Sequence, residues 1–141
     1  MPRTDRDIID GFNAHAPGFL ALFEGKVVAI DRRAATCTFE FNVSTDFCHS
    51  VEVVQGGFVT AMLDAAMSHA VFASTAEPLV NVSSLEIKTT FIEPTRAGPL
   101  RAEGRVLKST YKTAFLEGAL YDAEGLLTAT SSSVAKLVRP K

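Results

Sequence analysis

The chain has 141 residues, of which 47% are hydrophobic and 21% charged, so we expect one folded globular domain rather than disorder. Its formal net charge of −2 argues against binding nucleic acid through bulk charge. The two cysteines, Cys37 and Cys48, are too few for a disulfide scaffold or a zinc site. The charged start lacks the apolar core of a signal peptide, and no apolar run reaches the ~20 residues of a membrane span. We therefore expect a reduced, cytoplasmic setting, no metal, no cofactor, and neither nucleic acid nor membrane as a partner.

The first 25 residues predict a helix followed by an apolar segment. Thr4 is a suitable N-cap with Asp7 at the third helical position, and Pro17-Gly18 ends the helix. The segment from Phe19 to Phe23 is either a core patch or a lid or wall of an apolar substrate pocket. We treat residues 1–25 as the N-terminal part of a single domain that spans residues 1–141.

The rest of the chain predicts strands around one helix. Strand runs occupy residues 26–30 and 35–43, and Cys37, Phe39 and Phe41 share one face of the second. Residues 56–75 are apolar around nearly the whole circumference, which predicts a buried helix. Four further strand runs follow, at residues 80–92, 100–107, 113–122 and 126–138. The alternation slips near Ser83-Ser84, which indicates either a β-bulge or a change of twist.

This order of elements predicts an α+β fold in which a curved antiparallel sheet wraps around one long central helix. The outer face of the sheet would carry small polar residues such as Thr128, Thr130 and Ser132.

Two features of the central helix are candidates for chemistry. Thr60, Asp64 and Ser68 are spaced by four residues and form one polar stripe. The stripe either faces solvent or a loop, or it presents a carboxylate for nucleophilic or general-base work. Gln55-Gly56-Gly57 directly precedes the helix, so this segment is either a plain loop-to-helix transition or a site where free N–H groups bind an anion or oxyanion.

These segments resemble a known family. The run from Val54 to Phe58, followed by the run from Met62 to Met67, resembles the hot-dog-fold acyl-CoA thioesterases, in particular the PaaI-like (phenylacetic acid degradation) branch related to the 4-hydroxybenzoyl-CoA thioesterases. Residues 83–94 are similar to the family's next strand, which often ends in Phe-x-x-Pro, and residues 122–129 match its last hairpin. The resemblance covers residues 26–138 and implies a hot-dog fold.

The resemblance also implies roles for single residues. Asp64 falls at the family's catalytic carboxylate, the N–H of Gly56 falls where the thioester carbonyl is polarised, and Ser84 falls at a hydroxyl that helps place water. Gln55 is a known variant of the family's His. His49 stands where the family often has Asn, and it could still donate a hydrogen bond to the carbonyl.

The candidate substrate-binding residues are of two kinds. An apolar pocket would involve Phe23 and Phe58, next to the close backbone approach that Gly57 permits. Lys108 and Lys112 flank a turn and could meet the phosphates of CoA.

Helix geometry predicts that the site is shared between two chains. Gly56 and Asp64 are eight residues apart, which is roughly 12 Å along a helix. Two antiparallel copies of the helix would place Gly56 of one chain opposite Asp64 of the other, so we expect a homodimer, or a homotetramer of two such dimers. The expected function is hydrolysis of an aromatic or medium-chain acyl-CoA. The alternative is a non-catalytic protein that binds or senses acyl-CoA, which the His49 departure motivates.

Overall fold

The computed structural model describes residues 3–141, so residues 1 and 2 of the expected domain lie outside the described part. The predicted helices and strands are all present, with ends that differ by one or two residues. A short helix and a two-stranded hairpin are additional. The elements in chain order are α1 (Asp5–Ala14), α2 (Gly18–Leu22), β1 (Lys26–Asp31), β2 (Thr36–Val43), a 3-10 turn (Thr45–Phe47), β3 (Cys48–Ser50), β4 (Val53–Val54), α3 (Gly56–Ser74), β5 (Asn81–Phe91), β6 (Gly98–Ser109), β7 (Thr113–Asp122) and β8 (Leu127–Val138).

Six strands form one antiparallel sheet in the order β1-β2-β6-β7-β8-β5, and β3 pairs with β4 in a separate hairpin. The long helix α3 packs on one face of this sheet, against β2, β6 and β7 above all. The alternation in β2 places Cys37, Phe39 and Phe41 in the core, as predicted. This arrangement is the predicted hot-dog fold.

Close packing of α3 on the sheet depends on Gly104 in β6. A Cβ atom at that position would lie 2.2 Å from the backbone oxygen of Ala66, so only glycine allows the helix backbone to approach the strand. Of the described helices, α3 alone is long and apolar enough by length and composition to cross a membrane. Nine of its residues are buried in the core of the domain.

The helix α1 starts as predicted. Thr4 Oγ1 accepts a hydrogen bond from the Asp7 N–H, and the Asp7 carboxylate accepts one from the Thr4 N–H. The Asn13 side chain then bonds both the N–H and the C=O of Val27 in β1. These bonds tie α1 to the β1 edge of the sheet, and β5 forms the opposite edge.

The apolar segment after α1 is divided between core and surface. It forms α2, with Leu20 and Phe23 buried, while Phe19 and Leu22 are exposed. A five-residue helix has too short a periodic pattern to be distinguished from a loop by sequence alone.

The phase slip near Ser83-Ser84 is a register shift between Ser84 and Glu86 where β5 pairs with β8, which favours the bulge interpretation. On the helix side of the shift, the Ser84 hydroxyl reaches α3, whereas the Leu85 side chain is exposed.

The prediction that Thr128 lies on the outer face of the sheet is wrong. Thr128 is fully buried, and its hydroxyl accepts a hydrogen bond from Thr95 Oγ1 at 2.8 Å. The β7–β8 register is irregular between Leu120 and Tyr121, so the alternation that holds further along β8 does not extend back to Thr128. Thr130 and Ser132 do line a polar groove on the outer face.

Candidate active site

The start of α3 has one free N–H. The N-cap Gln55 accepts hydrogen bonds through Oε1 from the N–H of Gly57 at 2.7 Å and of Phe58 at 3.3 Å. Its carbonyl accepts from the N–H of Phe58 and Val59. Among residues 3–141, no acceptor lies within hydrogen-bond reach of the Gly56 N–H. The positive end of the helix dipole therefore coincides with one unpaired donor at Gly56.

Hydrogen bonds on both sides hold this turn in place. The Gln55 N–H donates to the carbonyl of Phe47 at 2.9 Å, and the Val54 N–H donates to the carbonyl of Thr95 at 2.8 Å. The donor at Gly56 is therefore presented by a fixed backbone, which electrostatic stabilisation of a developing charge requires.

A cavity of about 470 Å³ lies beside Gly56. Its walls come from the β3–β4 hairpin, the first turns of α3 and the segment after β5. Most of the lining side chains are apolar, and His49 and Glu93 are the ionisable ones. The lining residues are His49, Val53, Val54, Gly56, Val59, Phe91, Ile92, Glu93, Pro94 and Thr95. An apolar acyl group would fit such a wall, with its carbonyl at the helix start.

The polar stripe of α3 faces β5. Ser84 Oγ donates a hydrogen bond to Asp64 Oδ1 at 2.7 Å, and one turn earlier Thr60 Oγ1 and Thr89 Oγ1 lie 2.8 Å apart. The half-buried Asp64 is thus held from one side, while its Oδ2 makes no hydrogen bond to the described residues. That oxygen could accept a proton from water or attack a carbonyl carbon.

His69 and Cys37 belong to the core. His69 packs edge-on against Phe12 and Phe39, with ring centroids 5.0 Å apart in both pairs, and its Nδ1 bonds the Ala65 carbonyl. Burial lowers the pKa of His69, which keeps the ring neutral. Burial also raises the pKa of the Cys37 thiol to about 12, so this side chain is no nucleophile at neutral pH. Among residues 3–141, no three His, Cys, Asp or Glu side chains form a group that could hold a metal ion.

The structure brings some of the predicted site residues together. His49 lies on β3 and shares the cavity with Gly56. The Oε1 atom of Gln55 accepts the hydrogen bonds of the helix cap. Its Nε2 is therefore the group of this side chain that could donate to a substrate carbonyl. Gly57 is exposed at the same helix start. Asp64 and Ser84 contact each other, and neither residue lines the cavity.

Other predicted substrate-binding residues lie elsewhere. Phe23 is 3% exposed and packs with Phe58 in an aromatic cluster, in the core rather than on the cavity wall. Lys108 and Lys112 flank the β6–β7 turn, where Thr113 pairs with Lys136 of β8. Phe91, next to Gly56, pairs with Ala129 of β8, so the two lysines lie at the other end of the sheet from the cavity.

Sequence reasoning missed the contact between Phe91 and the helix start. A Cβ atom at Gly56 would lie 2.9 Å from the ring Cζ of Phe91, so the ring closes directly on the glycine backbone. The Phe-x-x-Pro pattern from Phe91 to Pro94 was the available signal, since it marks the end of the strand that reaches this point.

Comparison with known proteins shows the family of the chain. Residues 52–129, more than half of the chain, match the sequence model of the thioesterase superfamily. The chain belongs to this superfamily. A candidate esterase of Thermoplasma volcanium is 34% identical over 88 residues, which are 62% of this chain and 65% of that protein. The chain therefore spans just under two thirds of the length of this curated relative.

Solved structures share the fold of this thioesterase-superfamily chain. A candidate thioesterase of Ralstonia eutropha, related to phenylacetic acid degradation, has a TM-score of 0.82 and 25% identity, with 92% of this chain and 98% of that chain covered. A Streptococcus mutans protein bound to acetyl-CoA has a TM-score of 0.72 and 10% identity, with 83% and 90% covered. The predicted resemblance to hot-dog thioesterases of the phenylacetic acid degradation type is confirmed.

Proposed function

We propose that this member of the thioesterase superfamily hydrolyses an acyl-CoA thioester to a carboxylic acid and free CoA. The observation that carries the proposal is the single free N–H of the helix start, at Gly56, on the wall of an apolar cavity. The acetyl-CoA in the Streptococcus mutans structure supports a CoA ester as substrate. The apolar lining supports an aromatic or medium-chain acyl group, and the name of the Ralstonia eutropha protein is in keeping with an aromatic one.

In the proposed reaction, the carbonyl oxygen accepts a hydrogen bond from the Gly56 N–H, with His49 or the Nε2 of Gln55 as a second donor. Asp64 acts in one of two ways. It removes a proton from a water molecule that attacks the carbonyl carbon, or its Oδ2 attacks that carbon and forms an anhydride that water then cleaves. In both routes the C–S bond breaks, and the CoA sulfur leaves with the electron pair and takes up a proton. Ser84 holds the Asp64 carboxylate by a hydrogen bond to Oδ1.

The proposal includes a homodimer, because Gly56 and Asp64 of one chain lie roughly 12 Å apart along α3. The Asn13 side chain pairs with Val27 at the β1 edge of the sheet, whereas the β5 edge carries exposed apolar side chains. Leu85 is 63% exposed and Phe91 56%. Antiparallel pairing of two β5 strands would bury these side chains and set Gly56 opposite Asp64 of the partner subunit.

The test is hydrolysis of a panel of acyl-CoA esters by the wild-type protein and by the Asp64→Asn variant. Asparagine has the size of aspartate and still accepts the Ser84 hydrogen bond, but it neither takes a proton nor attacks, so we expect kcat to fall by about 10²–10⁴. Ser68→Ala is the matched control, since Ser68 lies one turn further along the same stripe. Full activity of Asp64→Asn would remove Asp64 from the mechanism.

The second candidate function is non-catalytic binding of acyl-CoA. The presence of His49, rather than the Asn expected from the resemblance, on the cavity wall favours it. Calorimetric titration of the same panel separates the two functions, because tight binding of an ester that the wild-type protein leaves intact would support binding without turnover.

A further inference from the structure

Phe91 forms the wall of the cavity at the point where a thioester carbonyl would bind. Its ring Cζ lies 2.9 Å from the position of a Cβ atom on Gly56, and its ring also lines the 470 Å³ cavity beside that glycine. The ring is therefore in contact with the backbone that carries the free N–H. A carbonyl oxygen bound to this N–H would bring the adjacent acyl carbons next to the ring.

The strand end that carries Phe91 is held firmly. On one side, Thr89 bonds Thr60 of α3 at 2.8 Å. On the other side, the N–H groups of Ile92 and Glu93 both donate to the carbonyl of Thr128, at 2.9 and 3.1 Å. With the backbone fixed on both sides, only side-chain rotation can move the ring away from Gly56.

We propose that Phe91 determines which acyl groups are accepted at the α-carbon, the carbon next to the thioester carbonyl. Because the ring lies against the backbone of Gly56, a second carbon substituent on the α-carbon would be brought against it, whereas an unbranched chain can turn away into the cavity. This inference rests on the proposed function, and it concerns branching rather than the length or aromatic character of the acyl group. One methyl group that a pocket must accommodate or reject changes kcat/KM by about 10- to 200-fold.

The experiment compares n-butyryl-CoA with isobutyryl-CoA, two isomers that differ only in branching at the α-carbon. We expect the wild-type protein to prefer the unbranched ester by at least about tenfold in kcat/KM, and Phe91→Ala to reduce this preference to less than about threefold. Phe91→Leu, which keeps an apolar side chain at the β5 edge, serves in case the alanine variant fails to fold. Leu126→Ala, which truncates an exposed apolar side chain in the β7–β8 turn, is the control and should keep the wild-type preference.

A binding measurement separates this inference from the proposed function. The dissociation constants of both esters are measured with Asp64→Asn and with Asp64→Asn/Phe91→Ala. The inference is supported if the wild-type side chain at position 91 gives a preference for the unbranched ester, in turnover or in binding, and the Phe91 variants lose it. This holds even if the wild-type protein hydrolyses neither ester. Equal use of both isomers by the wild-type protein, or an unchanged preference in both Phe91 variants, overturns it while thioester hydrolysis stands. Absence of both turnover and binding overturns both.

Discussion

Replacement of Gly56 by proline tests the role of the free N–H most directly. Proline has no N–H, and it is well tolerated at the first position of a helix, which Gly56 occupies. The preceding Gln55 has φ −63° and ψ 139°, an extended conformation that a residue before proline prefers. Because the Gly56 N–H has no acceptor among the described residues, no hydrogen bond of the fold is lost.

Gly56→Ala is the matched control, since alanine keeps the N–H. Both substitutions add a Cβ atom at the place where the Phe91 ring lies 2.9 Å away, so both displace that ring. The two variants then differ at the backbone nitrogen, where proline removes the N–H and places its Cδ at the position that the carbonyl oxygen would take. Loss of one such donor costs about 10²–10³ in kcat, or ~3–4 kcal/mol of transition-state stabilisation.

The assay is steady-state hydrolysis of the best acyl-CoA of the panel, with thermal unfolding to verify that both variants fold. We expect kcat of Gly56→Pro to lie about 10²–10³ below that of Gly56→Ala. Equal kcat values for two folded variants would refute the assignment of an oxyanion donor to Gly56.

The same variant tests the shared site when it is mixed with Asp64→Asn. In a heterodimer of these two inactive chains, one site has both substitutions and the other has neither. If half of the dimers are mixed and each has one intact site, activity should return to about one quarter of the wild-type value. No recovery in a verified heterodimer would place both groups of a site in one chain and contradict the proposed dimer.

Three further predictions concern support of the site and stability. Ser84→Ala should lower kcat by about tenfold with little change in KM, because it removes the hydrogen bond that orients Asp64; an unchanged kcat would assign the serine a structural role only. Gly104→Ala should destabilise the fold by about 1–3 kcal/mol or more in denaturant unfolding, since its Cβ would overlap the Ala66 backbone, whereas a wild-type midpoint would contradict this close approach. Burial lowers the pKa of His69 below 6.5. The contribution of the neutral ring to the free energy of unfolding should therefore be complete above pH 6.5 and decrease below it, as the unfolded chain takes up the proton. Chemical unfolding at pH 5 and 7 should show a smaller pH dependence for His69→Asn, and an unchanged dependence would assign the effect to other groups.

Much of the fold is determined by local patterns along the sequence. The capping residues Thr4 and Asp7 place the start of α1, and the period-two alternation of Cys37, Phe39 and Phe41 identifies the buried face of β2. The apolar circumference of residues 56–74 identifies the central helix, because a helix of this composition is stable only when a sheet covers it. These features depend on residues that are close together in the chain, so they can be predicted from the sequence alone.

Local patterns fail where pairing or packing across the chain decides the outcome. Thr128 looks like an exposed outward residue by alternation, but it lies at the irregular part of the β7–β8 register and is fully buried, with its hydroxyl bonded to Thr95. The segments α2 and β3–β4 are too short to show a period, and their contacts hold them in place.

The same division applies to the candidate site. The sequence pattern alone singled out Asp64 and the glycines at the start of α3, because a carboxylate among apolar turns and a Gly-Gly at a helix start are unusual in themselves. Ser84 was singled out only by the resemblance to the family. Only the tertiary structure decided that Ser84 bonds Asp64 Oδ1, that Gln55 leaves the Gly56 N–H free, and that the Phe91 ring closes on Gly56. These contacts join residues that are as many as 35 positions apart in the chain, and the bulge in β5 and the close approach of α3 to the sheet set their distances.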